Sequence, residues 1–155
     1  MNDLGLRYFE DYAPGITYEC GSVSIDEASI INFAQQYDPQ PFHTDPVAAA
    51  TGPFGGLIAS GWHTAGLVMR VLVDNYLSAE ASLGAPALDE LRWPRPVRPG
   101  DTLVVRATVV EARKSQSKPD RGIVRTLVEA VNQDGKIVMS CIPTNFLLVR
   151  PPDVT

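Results

Sequence analysis

The run Asp38-Pro39-Gln40-Pro41-Phe42-His43 sets a carboxylate and an imidazole five residues apart, and both groups are common carriers of protons in general acid/base catalysis. Regular structure does not bring them together. Five residues of α-helix turn the chain by about 500° and leave the side chains roughly 140° apart, while five residues of strand point them to opposite faces. Pro39 and Pro41 push Asp38 and Gln40 into extended or polyproline conformations, which predicts a rigid, kinked loop whose shape is set before any substrate arrives. The same residues also fit a plainer role, in which Asp38 closes one helix, His43 precedes another and the prolines are punctuation.

Ser60-Gly61 is the second place where chemistry could reside. With Ser60 as N-cap, its hydroxyl satisfies the amide of the second or third helical residue and leaves the Gly61 N–H free at the positive end of the helix dipole. Such an amide can stabilise negative charge on a thioester or amide carbonyl, an effect worth about 10²- to 10³-fold in rate. Glycine at 61 also fits close packing alone. His63 lies two residues further on, on an otherwise apolar helix, where a histidine is more often a hydrogen-bonded core residue. Two histidines twenty residues apart, with no cysteine or paired-carboxylate pattern, do not form a zinc ligand set, so no metal is expected. No G-x-S-x-G elbow, GxGxxG or Walker loop is present, which removes the main support for triad hydrolysis, hydride transfer and nucleotide hydrolysis.

These residues need a scaffold, and 155 residues with 45% hydrophobic content are enough for one hydrophobic core, predicting a single domain over residues 1–155. The net charge of −5 and the lack of a Lys/Arg cluster argue against a nucleic-acid partner. Cys20 and Cys141 sit far apart in apolar, strand-like runs, as free thiols in a reducing cytoplasm do. Asp3, Arg7, Glu10 and Asp11 break the N-terminus, which reads as neither signal peptide nor anchor. The apolar stretch from Gly55 to Val73 is interrupted by Ser60, His63, Thr64 and Arg70, and reads as a buried helix rather than a membrane span.

Along the chain, Ile16 to Val23 predicts a first strand, and Ser24-Ile25-Asp26-Glu27 has the form of a capping box opening a helix that buries Ala28, Ile31, Ala34 and Tyr37. That helix stops at Asp38 ahead of Pro39. Its negative end is then expected to raise the proton affinity of the Asp38 carboxylate. Asp45-Pro46 predicts a second, short helix. A long helix is expected from Ser60 to about Tyr76, buried on nearly every side because its apolar residues surround it. Leu88 to Val97 predicts a proline-bent strand, and period-two alternation from Thr102 onward predicts long antiparallel strands joined by a turn at Asn132-Gln133-Asp134-Gly135. The segment from Arg113 to Arg121 is the most basic; it reads as a solvated hairpin tip or as a holder for the phosphates of a nucleotide handle. The class is α+β, a curved antiparallel sheet wrapped around one helix.

Asp38-Pro39-Gln40-Pro41-Phe42-His43, with Asp45-Pro46, Gly56-Leu57-Ile58-Ala59-Ser60-Gly61-Trp62-His63 and Pro99-Gly100-Asp101, resembles the MaoC-like dehydratases. This hot-dog-fold group includes (R)-specific enoyl-CoA hydratases. The family's loop is D-x-N-P-x-H, in which Asp and His hold the reacting water and a helix-opening glycine amide receives the thioester carbonyl. The resemblance therefore implies Asp38 and His43 as the catalytic pair and Gly61 as the oxyanion donor, with Gln40 and Ser60 beside them in substrate binding. Gln40 stands where the family usually has Asn, and Met69 where the hydratases tend to carry a serine. Also implied are a homodimer joined sheet edge to sheet edge, and a CoA thioester that is substrate rather than cofactor. The expected activity is addition or removal of water across the double bond of a 2-enoyl-CoA. The alternatives are an acyl-CoA thioesterase on the same fold and a non-catalytic acyl-thioester binding domain. Trp62, Trp93, Phe42 and Phe54 fit either the pocket or the core.

Overall fold

The computed structural model describes residues 3–153. Five strands form one antiparallel sheet: β1 (Thr17–Ser24), β2 (Ala87–Arg92), β3 (Thr102–Lys114), β4 (Arg121–Val131) and β5 (Ile137–Leu148), in the order β1-β3-β4-β5-β2. Among the described residues four α-helices precede β2: α1 (Glu27–Tyr37), α2 (Pro41–Thr44), α3 (Pro46–Ala50) and α4 (Gly61–Asn75). The sheet curves around α4, which gives the expected α+β hot-dog arrangement.

The alternation that defines the strands also builds the core. In β3 as far as Val109, and throughout β4, every second residue is buried, including Leu103, Val105, Ala107 and Val109 on β3 and Val124, Val128 and Ala130 on β4. These residues meet Val68, Val71 and Leu72 of α4. Gly135, at a φ of 76°, adopts the left-handed conformation that closes the β4–β5 hairpin.

Three local expectations need correction. Ser24 does not open α1: it ends β1, its hydroxyl bonded to Thr102 Oγ1 at 2.9 Å, and Asp26 caps the helix by accepting from the Ser29 amide at 2.8 Å. A carboxylate two residues later is an equally good cap, and the β1–β3 ladder claims the serine. This shift rotates the buried stripe of α1 to Ile30 and Ala34, and Ala28 and Tyr37 are exposed. The long helix, finally, is not buried all round. Trp62, Met69 and Val73 stand about half exposed, because one five-stranded sheet covers only one side of it. Among the described residues no helix is long and apolar enough to cross a membrane.

Candidate active site

Asp38 ends α1, its amide donating to Ala34 O at 2.8 Å, and its backbone turns away from the helix at φ −151°, ψ 65°. Pro39 makes this break compulsory. The loop that follows is not free of helix, as the sequence predicts, because Gln40 and Pro41 begin the single turn α2 with proline at its first position. Proline there loses no hydrogen bond and already has a helical φ. This extra turn swings His43 back toward Asp38, and Nε2 comes within 3.3 Å of Asp38 Oδ2.

Each member of the pair is held from its other side. His43 is buried, and Nδ1 lies 2.7 Å from the carbonyl oxygen of Ile58. A carbonyl only accepts, so Nδ1 carries the proton and, in the neutral ring, Nε2 presents its lone pair to the carboxylate. Two acceptors at 3.3 Å call for a hydrogen between them, which a protonated imidazole, a water or a substrate hydroxyl can supply. Asp38 Oδ1 accepts from Gln40 Nε2 at 2.7 Å, and Oδ2 accepts from Ser60 Oγ at 2.7 Å. The longer amide at position 40 thus still reaches the carboxylate.

Ser60 sits at the N-cap of α4 but makes no capping bond with its side chain. The carboxylate, a charged acceptor, wins the hydroxyl over a neutral amide. The amides of His63 and Thr64 turn to Ser60 O, at 3.0 and 3.1 Å, and the Gly61 N–H has no acceptor among the described residues. Gly61 is also a packing glycine: a Cβ there would stand 2.6 Å from Trp93 Cε2. The free amide and the close approach coexist at one residue.

The electrostatics reverse one expectation. Burial pushes the Asp38 pKa upward, but the bonds from Gln40 and Ser60 together with the charge of His43 outweigh it, and the net shift is below the ordinary 3.8. The α1 dipole does not govern the group, since two direct donors at 2.7 Å outcompete the diffuse negative end of an eleven-residue helix. Asp38 is therefore a carboxylate across the neutral range.

A cavity of about 370 Å³ opens beside the pair and is bordered by His43, Gly61, Thr64, Phe42, Phe54 and Trp93. His63 does not border it. That ring stacks on Phe33 of α1 at 4.8 Å and 6°, with Nδ1 unpartnered, and burial lowers its pKa against the raising effect of Asp26. The basic hairpin tip lies elsewhere, with Arg113 on Glu111 at 3.0 Å and Arg121 on Asp120 at 2.8 Å.

The chain matches the MaoC-like domain family over residues 11–132. The chain belongs to that family. Among solved structures, the MaoC-like dehydratase from Rhodospirillum rubrum superposes with a TM-score of 0.86 at 41% identity, over 93% of this chain and 98% of that one. The unliganded R-hydratase PhaJ1 from Pseudomonas aeruginosa gives a TM-score of 0.73 at 26% identity, over 96% and 95% of the two chains. The 3-hydroxybutyryl-CoA dehydratase of Methylorubrum extorquens is 30% identical over 141 residues, 90% of this chain and 87% of that protein.

Three features of this MaoC-like domain escape a reading of its motifs. The Ile58 carbonyl that fixes the His43 tautomer has no side-chain signature. The pairing of Ser60 with Asp38 spans 22 residues and competes with an equally ordinary cap. Trp93 covers Gly61 only because β2 returns along β5. Each depends on a chain crossing that local patterns do not encode.

Proposed function

We propose that this MaoC-like domain is an (R)-specific hydratase/dehydratase that adds or removes water across the double bond of a 2-enoyl thioester, with CoA as part of the substrate rather than as a cofactor. The observation that carries the proposal is the Asp38–His43 pair at 3.3 Å, with Nδ1 of the histidine tied to the Ile58 carbonyl.

In the hydration direction, a water between the two groups attacks C3 of the enoyl thioester and passes a proton to Asp38. The electron pair displaced from the double bond moves toward the thioester oxygen, which accepts the Gly61 N–H. Asp38 hands the proton to Nε2 of His43, which delivers it to C2, so that the carboxylate and the neutral ring are regenerated. Gln40 and Ser60 hold the carboxylate in place through its two oxygens. Acid/base steps of this kind supply about 10²- to 10⁴-fold each, and the Gly61 amide about 10²- to 10³-fold more.

A homodimer goes with this function. β2 is paired with β5 on one side only, and Leu88, Trp62 and Met69 are exposed around that edge, which suits a second sheet. A reducing, cytoplasmic setting is supported by Cys20 and Cys141, both free and buried, their thiols pushed up to about 11 by burial.

The test follows the absorbance of 2-butenoyl-CoA and longer 2-enoyl-CoAs, with thiol release read in parallel. Alkene loss without thiol is expected, and Asp38→Asn should lower kcat by about 10²-fold or more with an unchanged far-UV spectrum. Turnover of the wild-type kind in Asp38→Asn defeats the assignment, and thiol release replaces it with a thioesterase.

A further inference from the structure

The chain has ten arginines, and among the described residues eight of them pair with a carboxylate, as Arg7 does with Glu80 and Arg150 with Asp11. The two that do not are Arg95 and Arg98, and both stand at the cavity beside His43. Arg95 lines it, and Arg98 Nη2 donates to the carbonyl of Phe54, a wall residue, at 2.6 Å. In a protein with a net charge of −5, unneutralised guanidinium groups gathered at one opening make that opening a local attractor for anions.

The segment Trp93-Pro94-Arg95-Pro96-Val97-Arg98-Pro99 explains the placement. Each arginine precedes a proline, so its backbone is confined to extended conformations and its side chain springs from a stiff edge. The segment is anchored at the site. Ala59, two residues before Gly61, donates its amide to Val97 O at 2.8 Å, and Arg95 Nη1 donates to Ile137 O at 3.1 Å. That bond goes to a neutral carbonyl and leaves the charge of Arg95 unmatched. The acidic groups nearby along the chain are engaged elsewhere: Glu90 lies 3.8 Å from Arg92, and Asp101 accepts from the Arg98 amide at 2.9 Å and from Gln133 Nε2 at 2.8 Å. Trp62, Met69 and Leu88, exposed around the dimer edge, border a different cavity, so a seam between two sheets there does not close this opening.

Length decides which anion reaches Arg95. His43, Gly61 and Arg95 all border one cavity of about 370 Å³, which taken as a sphere is about 9 Å across. The phosphates of CoA are separated from the thioester by roughly a dozen bonds, or roughly 16 Å when extended. With the thioester carbonyl on Gly61 they lie outside. A carboxylate at the far end of a four-carbon acyl group is about three bonds, or roughly 4 Å, from that carbonyl, and a hydrogen bond from the guanidinium adds about 3 Å. The total fits within the cavity.

We propose that Arg95 recognises a carboxylate on the acyl group, so that the substrate class is a short 2-enoyl thioester, about four or five carbons long, that ends in a free carboxylate. The planar fork of Arg95 matches the two carboxylate oxygens. Arg98 holds the Phe54 wall in place and adds its charge to the same rim. This inference rests on the acyl-thioester function proposed above.

Calorimetric titration with succinyl-CoA and butanoyl-CoA tests it without hydration, since neither has a carbon-carbon double bond in its acyl group. Succinyl-CoA should bind the wild-type protein about ten-fold more tightly, and Arg95→Gln and Arg95→Met should each bring the ratio close to one. The same preference is expected between the succinyl and butanoyl thioesters of pantetheine, which carry no phosphate. Equal binding, a preference for butanoyl-CoA, no binding of either ligand, or a preference that survives in both variants overturns the proposal. A loss in the variants that falls equally on both CoA thioesters and disappears with the pantetheine thioesters gives Arg95 to the phosphates of the handle and overturns it too. Because each result is a ratio within one protein, a variant that loses stability does not imitate the effect, and the wild-type ratio stands as a test if neither variant folds. Alkene loss is followed alongside with 2-butenoyl-CoA and with the mono-CoA thioester of trans-butenedioic acid. Its absence with both, the binding preference intact, defeats the hydratase assignment and leaves the carboxylate site supported, whereas alkene loss without the preference defeats the carboxylate site alone.

Discussion

Gly61→Ala isolates the packing demand at the start of α4. The added Cβ would lie 2.6, 2.7 and 2.9 Å from Cε2, Cδ2 and Cζ2 of Trp93, where ordinary contact begins at 3.4 Å. The indole must therefore retreat by about 0.8 Å (3.4 minus 2.6). Trp93 is 37% exposed and can swing outward, but this parts it from Trp62. Overpacking costs about 1–3 kcal/mol and a lost aromatic pair about 0.5–1.5 kcal/mol. Alanine returns somewhat less than the roughly 0.5–1 kcal/mol it gains over glycine inside a helix. A net loss of about 1–4 kcal/mol follows, which lowers Tm by roughly 3–12 °C in a chain of this size. The chain has two tryptophans, Trp62 and Trp93, so the near-UV dichroism of the pair reports the displacement directly. In a Trp93→Leu background the same glycine substitution should be nearly neutral, because the clash is gone. An unchanged Tm, or an equal loss in both backgrounds, refutes the packing argument.

Ser60→Ala removes one of the two bonds that hold Asp38 low. The Asp38 pKa should rise, and the acidic limb of kcat/KM should move to higher pH, with about a ten-fold fall in kcat/KM at neutral pH. A group with a depressed folded pKa stabilises the protein above its unfolded value of 3.8 and loses that contribution as pH falls. Acid unfolding of Ser60→Ala should therefore begin at a higher pH, and identical profiles for the two proteins would count against the bond. His63, kept neutral by burial, has a lowered pKa. The unfolded chain binds the extra proton below about 6.5, so stability falls as pH drops through that value toward the folded pKa. Urea unfolding at pH 7 and pH 5 should show a smaller loss in His63→Gln than in the wild type, and parallel losses would show that His63 is not the group responsible.

The strands and the long helix were legible because each repeats a local rule many times. Period-two burial runs through β4 and along β3 as far as Val109, and the end of α1 follows from Pro39 alone. Single-residue choices were less legible. Ser24 and Asp26 are both competent caps, and the pairing of β1 with β3 decided between them. The α2 turn was missed because Pro41, which ends the freedom of Gln40, is equally suited to begin a helix.

For the candidate site, residue type and spacing marked Asp38, His43 and Gly61 as candidates beside plainer roles, and the resemblance of their motifs pointed to the family that the chain belongs to. The sequence could not set the charge state of Asp38, the tautomer of His43, or the partner of the Ser60 hydroxyl. Those depend on Gln40, Ile58 and Ser60 meeting two side chains across separate elements. Hydrogen bonds and burial act over a few ångströms in space, whereas motif spacing measures distance along the chain, and only the folded protein makes the two coincide.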